Sequence, residues 1–329
     1  MNLFSFFLFQ SAHDTTAQST QHATEAVQHA AAAGGHGGEM SISEMFKHLI
    51  EHVQDSREIE LPFLGHVHLP HFDPIHIGGL AIDLSITKHV VFMWVAAVLL
   101  IVLMVVAARS NSKNRVPKGF GNLIEVFVKF VRDEIALPNM GPSGLRYMPY
   151  LLTTFFFILT MNLLGLVPYG ASATGNIAVT AGLAAIAFIM IQVASIRAQG
   201  FGHYLAHLTG GVPAFLWPIM IPVEILGLFT KPFALCMRLF ANMTGGHLVL
   251  VSLIGLIFVA KILGGAGVAS GVGVVAGSFV VAIMFLELFV AFLQAYVFTM
   301  LTSIFMGLGI QAGEQHHAHA EHGEGHEHT

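Results

Sequence analysis

An arginine, two carboxylates, a histidine and two amides lie inside long apolar stretches of this chain. Arg238, Asn242 and His247 fall in the run KPFALCMRLFANMTGGHLVL (231–250), Glu224 precedes it, and Glu287 and Gln294 stand in a second run. At the centre of a bilayer a lone arginine costs about 2.5–3.5 kcal/mol on insertion scales and about 10–17 kcal/mol in simulation. On either scale Arg238 needs a carboxylate or a hydrated cavity. Glu224 is about four turns away on the same helix, too far to serve, so a carboxylate on another subunit answers the need. A histidine beside a carboxylate is the side-chain pair best suited to relaying protons, and His247 and Glu287 supply one. The chemistry on offer is ion movement through a membrane.

Spacing sharpens this. Glu224, Lys231 and Arg238 recur every seven residues, drift only ~20° per step and share a stripe. Asn242 is four residues beyond Arg238, on the same face, whereas His247 is nine beyond it and faces another way. The two apolar runs predict helices over about 218–263 and 273–307, both well beyond the ~20 residues that cross a bilayer once, so both must tilt strongly or lie partly in its plane. Between them LGGAGVASGVG (263–273) reads as a glycine-rich turn. Counted from its centre at Gly267, His247 lies 20 residues before and Glu287 20 after, and Arg238 lies 29 before and Gln294 27 after. An antiparallel hairpin therefore sets His247 level with Glu287, and Arg238 level with Gln294.

The elements that must hold these residues follow from composition. The chain has 329 residues, 55% hydrophobic and 10% charged, where a soluble domain is about 25% charged. Its mean hydropathy is +0.73. The continuous apolar runs predict an all-α polytopic membrane protein rather than a barrel. A net charge of −5 leaves no basic footprint for nucleic acid. The single cysteine, Cys236, excludes a disulfide within the chain.

In chain order, 1–10 is a short apolar run without a basic flank, for which cleavage and retention both stand open. Residues 11–40 are rich in Ala, Gln, Thr, His and Gly and read as disordered or loosely helical, and 41–53 has short amphipathic helix character. Leu61–Asp83 reads as an extra-membrane connection. The first span is Val90–Ala108, and Arg109, Lys113, Arg115 and Lys118 place its far end in the cytoplasm. In 120–137 the apolar residues Phe120, Leu123, Ile124, Phe127, Val128, Val131 and Ile135 line one face, opposite Glu125 and Lys129. This predicts an interfacial helix ended by Pro138 and Pro142. A hairpin of spans follows, Tyr147–Val167 and Ile177–Ile196. Asn162 in its first limb either lines a polar path or bonds a neighbouring helix. The histidines match no zinc-site spacing, so no metal and no cofactor is expected.

RLFANMTGGH (238–247) then carries a resemblance. Together with MNLLGLVP (161–168), PVEILGLFTKP (222–232) and FLQAYVF (292–298), it makes the chain similar to subunit a of the F-type ATP synthase over about 82–313. The resemblance implies that Arg238 is the essential arginine facing a carboxylate on a rotating c-ring. It implies that Asn242 and Gln294 are its polar neighbours, and that Glu224 is the acid of the inner half-channel. Asn162 and Asp83 take outer-vestibule positions, and His247 with Glu287 a proton relay whose order along the chain is exchanged relative to some relatives. It further implies c-ring and peripheral-stalk b partners and a bacterial inner-membrane location, and His247, suited to proton relay, favours H+ over Na+ as the ion. The N-terminus lies outside and the C-terminus in the cytoplasm. The subunit does no ATP chemistry of its own, and no GxxxxGK[ST] occurs. The expected organisation is an extracytoplasmic extension (1–82), a membrane domain (83–310) and a disordered His-rich tail (311–329). The rival reading, a secondary ion transporter with a buried Arg/Glu/His site, predicts an internal repeat, and none is visible.

Overall fold

Apolar runs bounded by charge become helices because lipid leaves the backbone no other hydrogen-bond partner. The computed structural model describes residues 58–61, 65–68, 75–77, 80–82, 87–113, 119–167, 172–202, 204 and 214–324. The expected features at 1–53, and Asp83, lie outside them. Two antiparallel ribbons come first. β1 (Glu58–Leu61) pairs with β2 (Gly65–His68), and β3 (Ile75–Ile77) pairs with β4 (Leu80–Ile82). The stretch expected to be an extra-membrane connection thus contains strands, which its Pro and Gly had obscured.

Among the described residues, the elements after the ribbons are all helical. α1 (Lys88–Lys113) holds the first span. α2 (Phe120–Phe130) is the amphipathic helix. α3 (Met148–Gly165) and α4 (Ile177–Gln199) form the hairpin of spans. Asn176 starts α4, its Oδ1 accepting from the Ala178 amide at 2.8 Å, as an N-cap side chain should. The last helical segment, Trp217–Glu324, is broken only at Gly265, giving two limbs, α5 (217–264) and α6 (266–324). Among the described residues four segments are long and apolar enough to cross a membrane, and the chain is a multi-pass membrane protein.

Two expected boundaries move. The turn between the long limbs is not the eleven-residue stretch 263–273 but the single residue Gly265, at φ 71° and ψ −173°. Only glycine adopts that backbone without strain, and its glycine neighbours stay helical. Likewise the amphipathic helix does not stop at Pro138. A π-turn, Val131–Ala136, follows α2, and a short helix, Leu137–Met140, carries Pro138 in its first turn. The Leu137 amide reaches back five residues to the Arg132 carbonyl. Widening the helix before Pro138 removes the clash that its ring would otherwise make. At the other end, the α6 backbone runs past 310 to Glu324.

The chain divides into two compact units, one with 55–246 and 282–329, the other with 1–54 and 247–281. In the second unit α5 and α6 pack antiparallel about Gly265. A Cβ on Gly273 would meet Ile257 at 3.8 Å, each residue being eight from the break. The first unit holds the larger core. The apolar face of α2 delivers Phe127 and Phe130 into an aromatic cluster with Phe155, Phe156, Phe292 and Tyr296. Its polar face carries the Glu125–Lys129 pair at 2.7 Å. That pair raises the Lys129 pKa through its hydrogen bond and charge, but it is solvent-exposed and worth little. Small residues let α6 approach its neighbours. A methyl on Gly307 would strike the Asn139 carbonyl, one on Gly309 the Ser195 hydroxyl, and one on Gly313 the Ala198 carbonyl. Ser303 Oγ also donates to the Ile135 carbonyl at 3.0 Å.

Candidate functional site

α5 presents two unlike faces. Leu235, Cys236 and Leu239 are buried, and Cys236 Sγ lies 3.4 Å from the Thr180 hydroxyl of α4. Arg238, between them in sequence, points the other way and is exposed. No ion pair to it occurs among the described residues. One turn on, the Asn242 amide donates Nδ2 to Oε1 of Gln294 at 2.9 Å, and Gln294 is only 2% exposed. The arginine therefore stands on an open face beside a fixed amide pair. Gln294, expected level with Arg238, instead bonds Asn242, one turn further along α5.

Glu287 on α6 is half-buried. Its Oε1 sits against Gly246, where any Cβ would also come within 3.0 Å of the carboxyl carbon. Its Oε2 is buried without a hydrogen-bond partner among the described residues. His247 is half-buried in the unit 247–281.

Asn162, left open between path and packing, is 1% exposed and tied on both sides of its amide. Its Nδ2 donates to the Ala291 carbonyl at 3.3 Å, and its Oδ1 accepts from the Thr174 hydroxyl at 2.7 Å. Ser172 Oγ is 2.8 Å from Thr174 Oγ1, and His89 Nδ1 donates to the Ser172 carbonyl at 2.8 Å. This buried polar chain joins the start of α1, the α3–α4 turn and α6. Ser172, Thr174 and His89 carry no helix-face signal, and sequence reasoning passed over them.

Glu224 lines a cavity of about 290 Å³ between α4, α5 and α6. Gln192, Ser195, Gln199, Tyr204 and Lys231 supply the other polar groups of its wall. The Lys231 ammonium rests over the Phe305 ring, 4.9 Å from the centroid. Tyr204, beyond the end of α4, donates its hydroxyl to Gln192 Oε1. Burial first, then the negative charge of Glu224, pushes its pKa up, so it remains a donor. Of the seven-residue stripe, Glu224 and Lys231 face this cavity while Arg238 faces outward. Gln192 and Gln199 were missed, though they too are seven apart and share a helix face. Among the described residues no cluster of metal-ligating side chains occurs.

The arrangement separates three polar features on one scaffold: an open arginine, a buried amide–hydroxyl chain and an acid-lined cavity. Comparison with known proteins agrees with the motifs that suggested it. The family model described as ATP synthase A chain matches residues 90–307. The chain is 50% identical to ATP synthase subunit a of Chloroherpeton thalassium, over 82% of this chain and 80% of that one. It is 54% identical to ATP synthase subunit a of Myxococcus xanthus, over 75% of this chain and 81% of that one. It is 49% identical to that of Anaeromyxobacter dehalogenans, over 90% and 78%. This chain belongs to the ATP synthase A chain family.

Proposed function

We propose that this chain is the proton-translocating stator subunit of an F-type ATP synthase membrane sector. Arg238 faces the carboxylates of a rotating c-ring, and peripheral-stalk b subunits hold the chain still. The observation that carries the reading is the open guanidinium of Arg238, which meets no carboxylate among the described residues. A cation in lipid needs a counter-charge, and an exposed one can receive it from a moving neighbour.

Two offset half-channels then serve the ring. His247 and Glu287, with Asn162 and Asp83 toward the outside, deliver a proton to a ring carboxylate. Glu224 receives it on the inner side after nearly a full turn. Arg238 favours the ionised carboxylate as it passes and blocks a direct leak between the half-channels, while Asn242 and Gln294 hold that region in place. The energy is that of the ion gradient, whose electrical part is about 2.3 kcal/mol per charge per 100 mV. The chain lies in a bacterial inner membrane with its N-terminus outside and its C-terminus in the cytoplasm. It is organised as an extension (1–82), a membrane domain (83–310) and a His-rich tail (311–329), and the ion is H+. Lysine cannot replace Arg238, because it loses its proton more readily when buried and lacks the planar fork.

Glu224→Gln in the assembled complex tests the inner half-channel. ATP-driven proton pumping into inverted membrane vesicles is expected to fall about tenfold or more, the range for loss of a positioned proton carrier. A native pumping rate removes Glu224 from the path.

A further inference from the structure

We propose that Gln199 anchors a file of water in the Glu224 cavity and that Tyr204, through Gln192, latches the mouth of that cavity. The proposal rests on the reading of Glu224 as a proton carrier and names residues that the reading did not include.

Gln199 is 91% buried, being 9% exposed. Its amide nitrogen is committed: Nε2 donates to the Gly309 carbonyl at 3.0 Å. That bond fixes the amide plane; Oε1 is buried with no hydrogen-bond partner among the described residues, and Gln199 is one of the residues that line the cavity. A buried acceptor is costly to leave unbonded, and native proteins satisfy such groups with protein or water. The neighbouring hydroxyls already donate elsewhere. Ser195 Oγ donates to the Ile191 carbonyl at 2.9 Å, Tyr204 donates to Gln192, and the Lys231 ammonium lies over Phe305. Water supplies the donor that Oε1 lacks in such a site. The cavity, about 290 Å³, is polar and roomy enough for several molecules at about 30 Å³ each.

An amide oxygen accepts a hydrogen bond without taking the proton, so Gln199 orients the file and does not interrupt it. The Glu224 carboxyl gives its proton to the adjacent water, which passes one of its own along. Each step breaks one O–H bond and forms the next, and the carboxylate left behind is ready to be reloaded. Tyr204 lies beyond the end of α4, lines the cavity and reaches back twelve residues to Gln192.

The test places a reporter in the wall: Ala312→Cys in a Cys236→Ser background, in the assembled complex. The rate of modification by a small membrane-impermeant thiosulfonate reads cavity water. Gln199→Leu removes both functions of the amide, whereas Gln199→Glu keeps an acceptor oxygen, loses the amide donor to Gly309 and adds an acidic group. The expected result is a rate about tenfold slower with leucine and close to native with glutamate. Equal slowing by both makes Gln199 a helix tie only and overturns the proposal, as does no slowing by either. Tyr204→Phe, which removes one oxygen, is expected to lower ATP-driven pumping about fivefold with the complex intact. An unchanged rate overturns the latch. Should Glu224→Gln pump normally while the labelling pattern holds, the cavity is hydrated but is not the proton path, and the functional reading fails on its own.

Discussion

Asn242 and Gln294, 52 positions apart in the chain, share one amide hydrogen bond of 2.9 Å from Nδ2 to Oε1. Asn242 is on the exposed side of α5 and Gln294 is buried on α6, so the bond ties the open face of Arg238 to the core. If it does so, the two side chains act as a unit. Asn242→Leu and Gln294→Leu should each lower proton flux and thermal stability of the complex. The double variant should fall short of their sum by about 0.5–1.5 kcal/mol, the value of one net hydrogen bond. Additive losses would mean that each residue serves a different partner.

Gly246 concerns Glu287 in the same way that a floor concerns what stands on it. The carboxyl group lies where a Cβ would be, so Gly246→Ala must push Glu287 aside. The far end of a flexible side chain can yield, which keeps the stability cost near about 1 kcal/mol, at the low end for overpacking. The helix itself gains slightly from losing a glycine. The expected outcome is therefore a complex that assembles and moves protons poorly. Normal pumping by the alanine variant would show that the placement of Glu287 over Gly246 is immaterial to transport.

Thr174 holds Asn162 with a single hydroxyl, 2.7 Å from Oδ1, and is itself fully buried. Thr174→Val keeps the shape and deletes the donor, leaving a buried acceptor unpaired at about 1–3 kcal/mol. The thermal inactivation temperature of the purified complex should fall, and Thr174→Ser should restore it. A valine variant as stable as the native chain would place the weight of this network elsewhere, on the Ala291 carbonyl or on Ser172.

How much of this could be read from residues alone varies with the kind of force involved. The spans were legible because a bilayer demands about 20 apolar residues: Val90–Ala108 lies inside α1, and Ile177–Ile196 inside α4. The amphipathic face of α2 was legible for a related reason, since its period is that of the helix. The position of the turn was not. In a stretch holding Gly264, Gly265, Gly267, Gly271 and Gly273, all can adopt a positive φ, and only tertiary packing selects Gly265. Pro138 misled because a π-turn absorbs a proline at a cost that composition does not record. The polar residues divide similarly. Arg238 and Glu224 announce themselves by charge in an apolar run, whereas Gln192, Gln199 and Thr174 are neutral. What they do depends on which helix they face, and the sequence does not state the rotation of one helix against another. The one-turn offset of the amide pair has the same origin.

The central claim concerns a cation whose counter-charge comes from outside this chain, and substitution of Arg238 tests it most directly. Inverted vesicles carrying Arg238→Ala, with assembly verified, should show no ATP-driven proton pumping, and Arg238→Lys should not restore it, because an ammonium lacks the fixed planar fork. Coupled pumping at the native rate by the alanine variant would contradict the account.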